Sequence, residues 1–201
     1  MEIGVGISGA SGAAYAVRLL QALDALDEVT KIHLVISTNG FTLLRQEMSL
    51  HLSPANFKID QLIGESSSKI HFYENMDFYS PIASGSYPTE GMIVIPCSTG
   101  TLGAIASGAS SNLIQRGAEV ALKERRKLVL VIREMPLSSI HLENCLRLSH
   151  AGAVIMPASP GLYHRPTEIA DLIDFVVARV LDQFGLPHSI GKRWGVKSKT
   201  K

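Results

Sequence analysis

Five short runs, at residues 3–7, 32–36, 92–95, 128–132 and 153–156, are almost continuously apolar and rich in Val and Ile. A strand with one wet face alternates apolar and polar side chains. A strand without that alternation has to be covered on both faces, which is the situation inside a parallel sheet. Stretches with helical spacing separate the runs, at 13–26, 41–48, 112–126 and 138–150, and one more strand is expected near 69–73. The plainest helix comes last. Ile169, Leu172, Ile173, Val176, Val177, Val180, Leu181 and Phe184 form one unbroken apolar stripe, entered after Pro166 and closed by Gly185 and Pro187. This alternation predicts an α/β fold: a single doubly wound domain, Rossmann-like or flavodoxin-like, with a mostly parallel sheet flanked by helices.

With 201 residues and no repeat or linker, the chain reads as one domain over 1–195, followed by a basic tail at 196–201 expected to be disordered. A net charge of +1 offers no field to recruit nucleic acid or an acidic membrane. Only 18% of residues are charged, which is consistent with surface hidden between subunits or with a Ser-, Thr- and Gly-rich surface. Cys97 and Cys145 form no CxxC pair, and the first residues lack a secretory pattern, so a reducing, cytoplasmic setting is expected. Residues 91–115 carry no charge, but Pro96 and several glycines interrupt them, and no membrane span is expected.

In open α/β sheets the ligand sits at the carboxyl ends of the strands. The loops there are Ser8 to Gly12, Ser37 to Gly40, Pro96 to Thr101, Arg133 to Pro136 and Pro157 to Tyr163. Three of them offer small hydroxyl residues and Gly at a helix start, where backbone N–H groups meet anions. The opening GVGISGAS matches two phosphate motifs and satisfies neither. A dinucleotide site needs an acid at the end of the second strand, where Ser37, Thr38 and Asn39 stand; a P-loop needs a lysine where Ala10 stands. A mononucleotide such as FMN suits what remains. Beside this cradle, Arg133 is placed to hold the ligand and Glu134 to move a proton. Arg116, Lys123, Arg165 and Arg179 are read as lying near the same end or on a neighbouring subunit, and each taken singly also suits a solvated surface charge. Cys97 is read as packing. The seven histidines show no metal spacing, so no metal site is expected.

Several longer segments are familiar together: GISGASGAAYAVRLL, ASGS at 83–86, PCSTGTLGAIASG at 96–108, ALKERRKLVLVIREMP at 121–136, GAVIMPASPGLYHRP at 152–166 and DFVVARVLDQFG at 174–185. In this order they resemble the UbiX-like flavin prenyltransferases, with VIREMP and the PxxPGxYHxP segment as the specific parts. The resemblance implies an enzyme that joins a dimethylallyl group, from dimethylallyl phosphate, to N5 and C6 of reduced FMN. The prenylated FMN it makes would serve UbiD-type decarboxylases, as in ubiquinone biosynthesis. It implies a metal-independent reaction and a dodecamer with active sites shared between subunits.

By the same resemblance Gly9, Ala10, Ser11, Ser37, Ser98, Thr99, Gly100, Thr101 and Arg133 would bind FMN. Glu134 and Ser11 would be the catalytic residues. Tyr163, Arg179, Lys123, Arg116, Phe78 and Trp194 would form the prenyl-phosphate pocket. Phe78 stands where some members carry a tryptophan, a stronger cation–π partner. Two other readings share the fold expectation: an FMN-dependent cysteine decarboxylase and a non-catalytic flavin carrier. The first relies on a PxMNxxMW-like motif, in whose place this chain has REMPLSSIHLEN; the second has no use for a second phosphate site.

Overall fold

The computed structural model describes residues 1–191, 193 and 195. In chain order the elements are Glu2–Ile7 (β1), Ala13–Asp24 (α1), Lys31–Ile36 (β2), Thr38–Met48 (α2), Ile59–Ile63 (α3), Ile70–Glu74 (β3) and Gly91–Cys97 (β4). Thr99–Ser107 (α4), Leu113–Lys123 (α5), Lys127–Ile132 (β5), Ser139–His150 (α6), Val154–Pro157 (β6) and Ile169–Gln183 (α7) follow. The six strands form one sheet in the order β3-β2-β1-β4-β5-β6, and every pairing is parallel. The chain builds outward from β1 in one direction, then returns to β4 and builds in the other. The crevice between the carboxyl ends of β1 and β4 is therefore the switch point, where open α/β sheets bind ligands.

The absence of alternation in the strands is explained by two cores, one on each face. Ile3, Val5, Ile7, Ile93, Ile95, Val129 and Val131 pack with α1, α2 and the α7 stripe of Val176, Val177, Val180 and Leu181. Met92, Val94, Leu128 and Leu130 pack on the other face with α4, α5 and Leu148 of α6. Each fully buried aliphatic side chain contributes on the order of 1.5–3 kcal/mol. Gly4 and Gly6 point to this second face. A Cβ on Gly6 would stand 3.0 Å from Ile114 Cγ2, so the glycines that mimic a dinucleotide motif let α5 lie close on β1.

Two elements differ from the sequence expectation. The α2 helix starts at Thr38, not at 41, because Ser37 is its cap and the STNG segment is its first turn. Residues 99–107, where the sequence reading has a loop as far as Thr101 and no helix, form α4. Two glycines and two threonines depress its helical propensity, yet Ser98 caps its start and Gly108, at φ 70, closes it in the left-handed region. The expected strand near 69–73 is β3, and β4 runs past Pro96 at a shift in its register with β5. Among the described residues no helix is long and apolar enough to cross a membrane.

Candidate functional site

Ser8 fastens the switch point from below. It is buried, its Oγ donates to the Pro96 carbonyl at 2.8 Å, and it accepts from the Ser98 N–H at 2.8 Å. The end of β1 and the start of α4 are thereby held at a fixed separation. Two helices then begin at the crevice with the same device. Ser37 Oγ accepts from the Gly40 N–H at 3.0 Å, and Ser98 Oγ accepts from the Thr101 N–H at 3.3 Å. Each cap satisfies the third helical N–H. The groups at Thr38, Asn39, Thr99 and Gly100 occupy the positions that a helix leaves without an internal acceptor.

The backbone is tight around these starts. A Cβ on Gly40 would come 2.7 Å from the Ile7 carbonyl oxygen, and one on Gly9 would come 2.6 Å from Asn39 Cβ, whereas the space beside Gly100 is open. Hydroxyls, positive helix ends and the open room beside Gly100 suit a phosphate group. On this geometry the residues fit the mononucleotide that the sequence leads one to expect.

The start of α1 is different. Three helix starts were expected to present N–H groups to an anion, and here the protein supplies the anion itself. Glu47, in the last turn of α2, accepts from the Gly12 N–H at 2.9 Å and the Ala13 N–H at 2.8 Å. Burial opposes ionisation of Glu47. The Ser11 hydroxyl, the two N–H groups and the nearby Arg133 outweigh it and hold the carboxyl below its usual range. Ser11 is thus in contact with a carboxylate, and the turn it sits in is not a phosphate cradle. Sequence reading missed Glu47 because a lone acid late in a helix looks like any solvated charge.

Arg133 and Glu134 complete the crevice from the end of β5. Arg133 donates its Nε–H to the Ser11 carbonyl at 3.1 Å. Glu134 accepts from Thr99 Oγ1 at 3.3 Å and from the Met135 N–H at 3.1 Å. Gly9, Ala10, Ser11, Ser37, Ser98, Thr99, Gly100, Thr101, Arg133 and Glu134 are therefore gathered at one end of the sheet. Cys97, which ends β4 beside them, is fully buried, and burial pushes its thiol up to about 12. A thiol so hard to ionise is no nucleophile.

The candidate donor-binding residues are spread more widely. Tyr163 and Arg179 line a separate cavity of about 310 Å³ together with Phe175 and His164. Phe78 is partly exposed just beyond the carboxyl end of β3. Of the two placements expected for Lys123, the same end or a neighbouring subunit, the fold leaves the second. The α5 helix runs back against the strands, so Lys123 at its last turn lies at the sheet's amino edge, against Gly85 and paired with Glu124. Arg116, near the start of the same helix, donates to the Ala83 carbonyl at 3.0 Å and pairs with Glu119. Within one chain Lys123 cannot reach the crevice of Arg133. Trp194 lies outside the described residues. Among those described, no group of three His, Cys, Asp or Glu side chains is arranged to hold a metal ion.

A doubly wound parallel sheet with two hydroxyl-capped helix starts at its switch point defines an α/β protein built to bind a nucleotide phosphate. The Flavoprotein family matches residues 1–181. Flavin prenyltransferase UbiX of Halalkalibacterium halodurans is 50% identical over 165 residues, 82% of this chain and 80% of that protein. The chain belongs to the Flavoprotein family and, within it, to the UbiX-like flavin prenyltransferases. Two solved structures are close in fold. AnUbiX (PadA1), in complex with FMN and dimethylallyl pyrophosphate, is 41% identical with a TM-score of 0.83, covering 98% of both chains. The dodecameric FMN-dependent UbiX-like decarboxylase of Escherichia coli O157:H7 is 44% identical with a TM-score of 0.86, covering 98% of this chain and 100% of that one.

Proposed function

We propose that this chain is a flavin prenyltransferase that joins the dimethylallyl group of dimethylallyl phosphate to N5 and C6 of reduced FMN, within a single flavin domain spanning residues 1–195. The observation that carries the reading is one crevice holding both a phosphate cradle and a set of proton-handling groups, with Ser11, Glu47 and Arg133 joined to one another and Glu134 bonded to Thr99 at the start of α4. Membership of the UbiX-like family supports the same activity.

Reduced FMN, when bound, supplies the nucleophilic ring atoms. The protein's part is to bind, orient and move protons. Gly9, Ala10, Ser37 and the 98–101 turn hold the flavin, and Arg133 fixes the Ser11 turn against it. Ionising an allylic phosphate develops negative charge on the leaving group, which Arg179 and the Tyr163 hydroxyl accept. The opposite charge spreads over the prenyl carbons, where aromatic faces such as Phe78 and Trp194 favour it. Bonding at N5 releases the N5 proton, which Ser11, backed by Glu47, orients; ring closure then adds a proton to the prenyl double bond as C6 loses one, and Glu134 relays that proton.

Lys123, Arg116 and Phe78 enter this account as residues of an adjoining subunit. The exposed apolar side chains of Met135, Ile140, Leu142 and Leu146 support assembly, because so much exposed apolar surface on one short segment is costly in water. A dodecamer is the assembly proposed, as in the Escherichia coli relative, with a UbiD-type decarboxylase in the cytoplasm as recipient of the product. The test is phosphate release. Anaerobic incubation with dimethylallyl monophosphate should release one phosphate per reduced FMN consumed and none without the flavin. Flavin-independent release, or no release with either the monophosphate or the diphosphate, would contradict the proposal.

A further inference from the structure

The cavity beside α7 holds a cluster of ionic groups centred on Asp182. One turn apart on α7, Arg179 Nη1 donates to Asp182 Oδ2 at 2.7 Å. The other oxygen of Asp182, Oδ1, accepts from Arg193 Nη2 at 2.7 Å and lies 3.1 Å from His188 Nε2. Arg193 Nη2 is 3.0 Å from the same imidazole nitrogen. One carboxylate, only 18% exposed, therefore gathers two guanidinium groups and an imidazole from α7 and the segment that follows it. Burial works against ionisation of Asp182, but the hydrogen bonds and charges of Arg193 and His188 prevail and keep it below its usual range.

Partly exposed ion pairs contribute little to stability, so a cluster this concentrated calls for another explanation. Its location supplies one. Arg179, Asp182, His188 and Arg193 line the 310 Å³ cavity, Phe175 and Ile190 contribute apolar surface, and Asp171, its carboxylate occupied by the Thr167 and Glu168 N–H groups, lines it too. His164 lines the cavity too, stacked on Phe175 at 5.5 Å between ring centroids, and both of its ring nitrogens are buried without a hydrogen-bond partner. Buried polar atoms without partners are rare unless a ligand or water completes them. Paired guanidinium groups, orphan imidazole nitrogens and an aromatic floor together suit a small amphiphile with an anionic head.

We propose that Asp182 is a positioning residue that holds Arg179 and Arg193 side by side, and that Arg193 is a further binding residue for the phosphate of the prenyl donor. Arg179 turns Nη1 to Asp182 and Arg193 turns Nη2 to Asp182 and His188, so the remaining nitrogens of each five-donor fork are available to the ligand. The inference rests on the reading that Arg179 and Tyr163 take the donor. It differs from a role in which the cluster only staples residues 188–193 to α7.

The test is calorimetric binding of dimethylallyl monophosphate to the FMN-loaded protein, alongside steady-state prenyl transfer. Asp182→Asn and Arg193→Ala should each weaken donor binding and raise its KM about tenfold, the loss expected for one misplaced charge-assisted hydrogen bond. FMN affinity and kcat at saturating donor should stay near the wild-type values. Arg193→Lys should recover part of the affinity. Asp182→Asn added to Arg179→Ala should cost less than it does alone, because Asp182 acts through Arg179. A lowered melting temperature with unchanged donor affinity would assign the cluster to stapling and overturn the proposal. Should Asp182→Asn not fold, unchanged donor affinity in Arg193→Ala overturns it equally. A wild-type protein that binds the donor with this pattern of losses but transfers no prenyl group contradicts the parent reading and leaves this one standing.

Discussion

Arg133 donates its Nε–H to the carbonyl oxygen of Ser11 across 3.1 Å, and that bond ties the end of β5 to the turn that opens α1. The two residues are far apart in the sequence, and the sheet order brings them together across β4. A cation in this position both shapes the turn and leaves guanidinium N–H groups for an anionic ligand.

Replacing Arg133 with Ala should therefore weaken flavin binding more than it weakens the fold. A loss of one to two orders of magnitude in FMN affinity is expected, from the charge-assisted hydrogen bonds removed. Quenching of flavin fluorescence on titration measures it. An unchanged dissociation constant would take Arg133 out of the flavin site.

Gly9 tests how closely α2 approaches the GASG turn. A Cβ there would lie 2.6 Å from Asn39 Cβ, well inside contact distance. Gly9→Ala should cost about 1–3 kcal/mol by overpacking and displace the first turn of α2, lowering FMN affinity as well. Chemical denaturation of the apoprotein reads the first effect; a silent substitution would show that the α2 start moves freely.

Glu47 gives a pH prediction with a definite sign. Its carboxyl is held below the usual 4.5 in the folded state, so the stability it adds is complete above that value and is lost as the pH falls through the lowered one. Because the side chain is largely exposed and screened, the contribution is that of a good helix cap, about 1 kcal/mol. Glu47→Gln should cost about 1 kcal/mol at neutral pH and flatten the stability profile, so that the two proteins converge as the solution is acidified. Equal slopes for both proteins on acidification would refute the cap.

Cys97 should resist alkylation in the native protein at pH 8, since its thiol is buried and pushed up to about 12. Mass spectrometry of iodoacetamide-treated protein should find Cys97 modified only after denaturation. Rapid native labelling would mean that the end of β4 opens to solvent.

The fold was legible where burial dominates the sequence. Unbroken runs such as LVLVI at 128–132 admit few structures other than a two-faced parallel sheet, and the α7 stripe announces itself. α4 was not legible, because its cap at Ser98 and its terminator at Gly108 matter more than its weak helical propensity. The crevice residues after β1, β2, β4 and β5 could be listed from strand ends alone. Glu47 and Asp182 could not, since each acts through partners that only the folded chain supplies: the N–H groups of α1 for one, and the arginines at 179 and 193 for the other. The choice for Lys123 between this end of the sheet and a neighbouring subunit was not legible either, as the direction in which α5 runs determines which edge of the sheet its last residue meets.

The role of Glu134 separates binding from chemistry. Glu134→Gln preserves shape and hydrogen bonding but cannot accept a proton. FMN affinity should stay within about threefold of wild type while product formation falls at least about a hundredfold, the usual weight of a general acid–base group. A rate that survives the substitution would remove Glu134 from catalysis.

The most direct measurement is the mass of the flavin itself. The protein is incubated anaerobically with reduced FMN and dimethylallyl monophosphate, with the diphosphate in a parallel sample, and the flavin is extracted and weighed by mass spectrometry. The account predicts that flavin gains the mass of one prenyl unit, and that the gain is lost with Glu134→Gln. Flavin recovered at its original mass from the wild-type protein with both donors would contradict it.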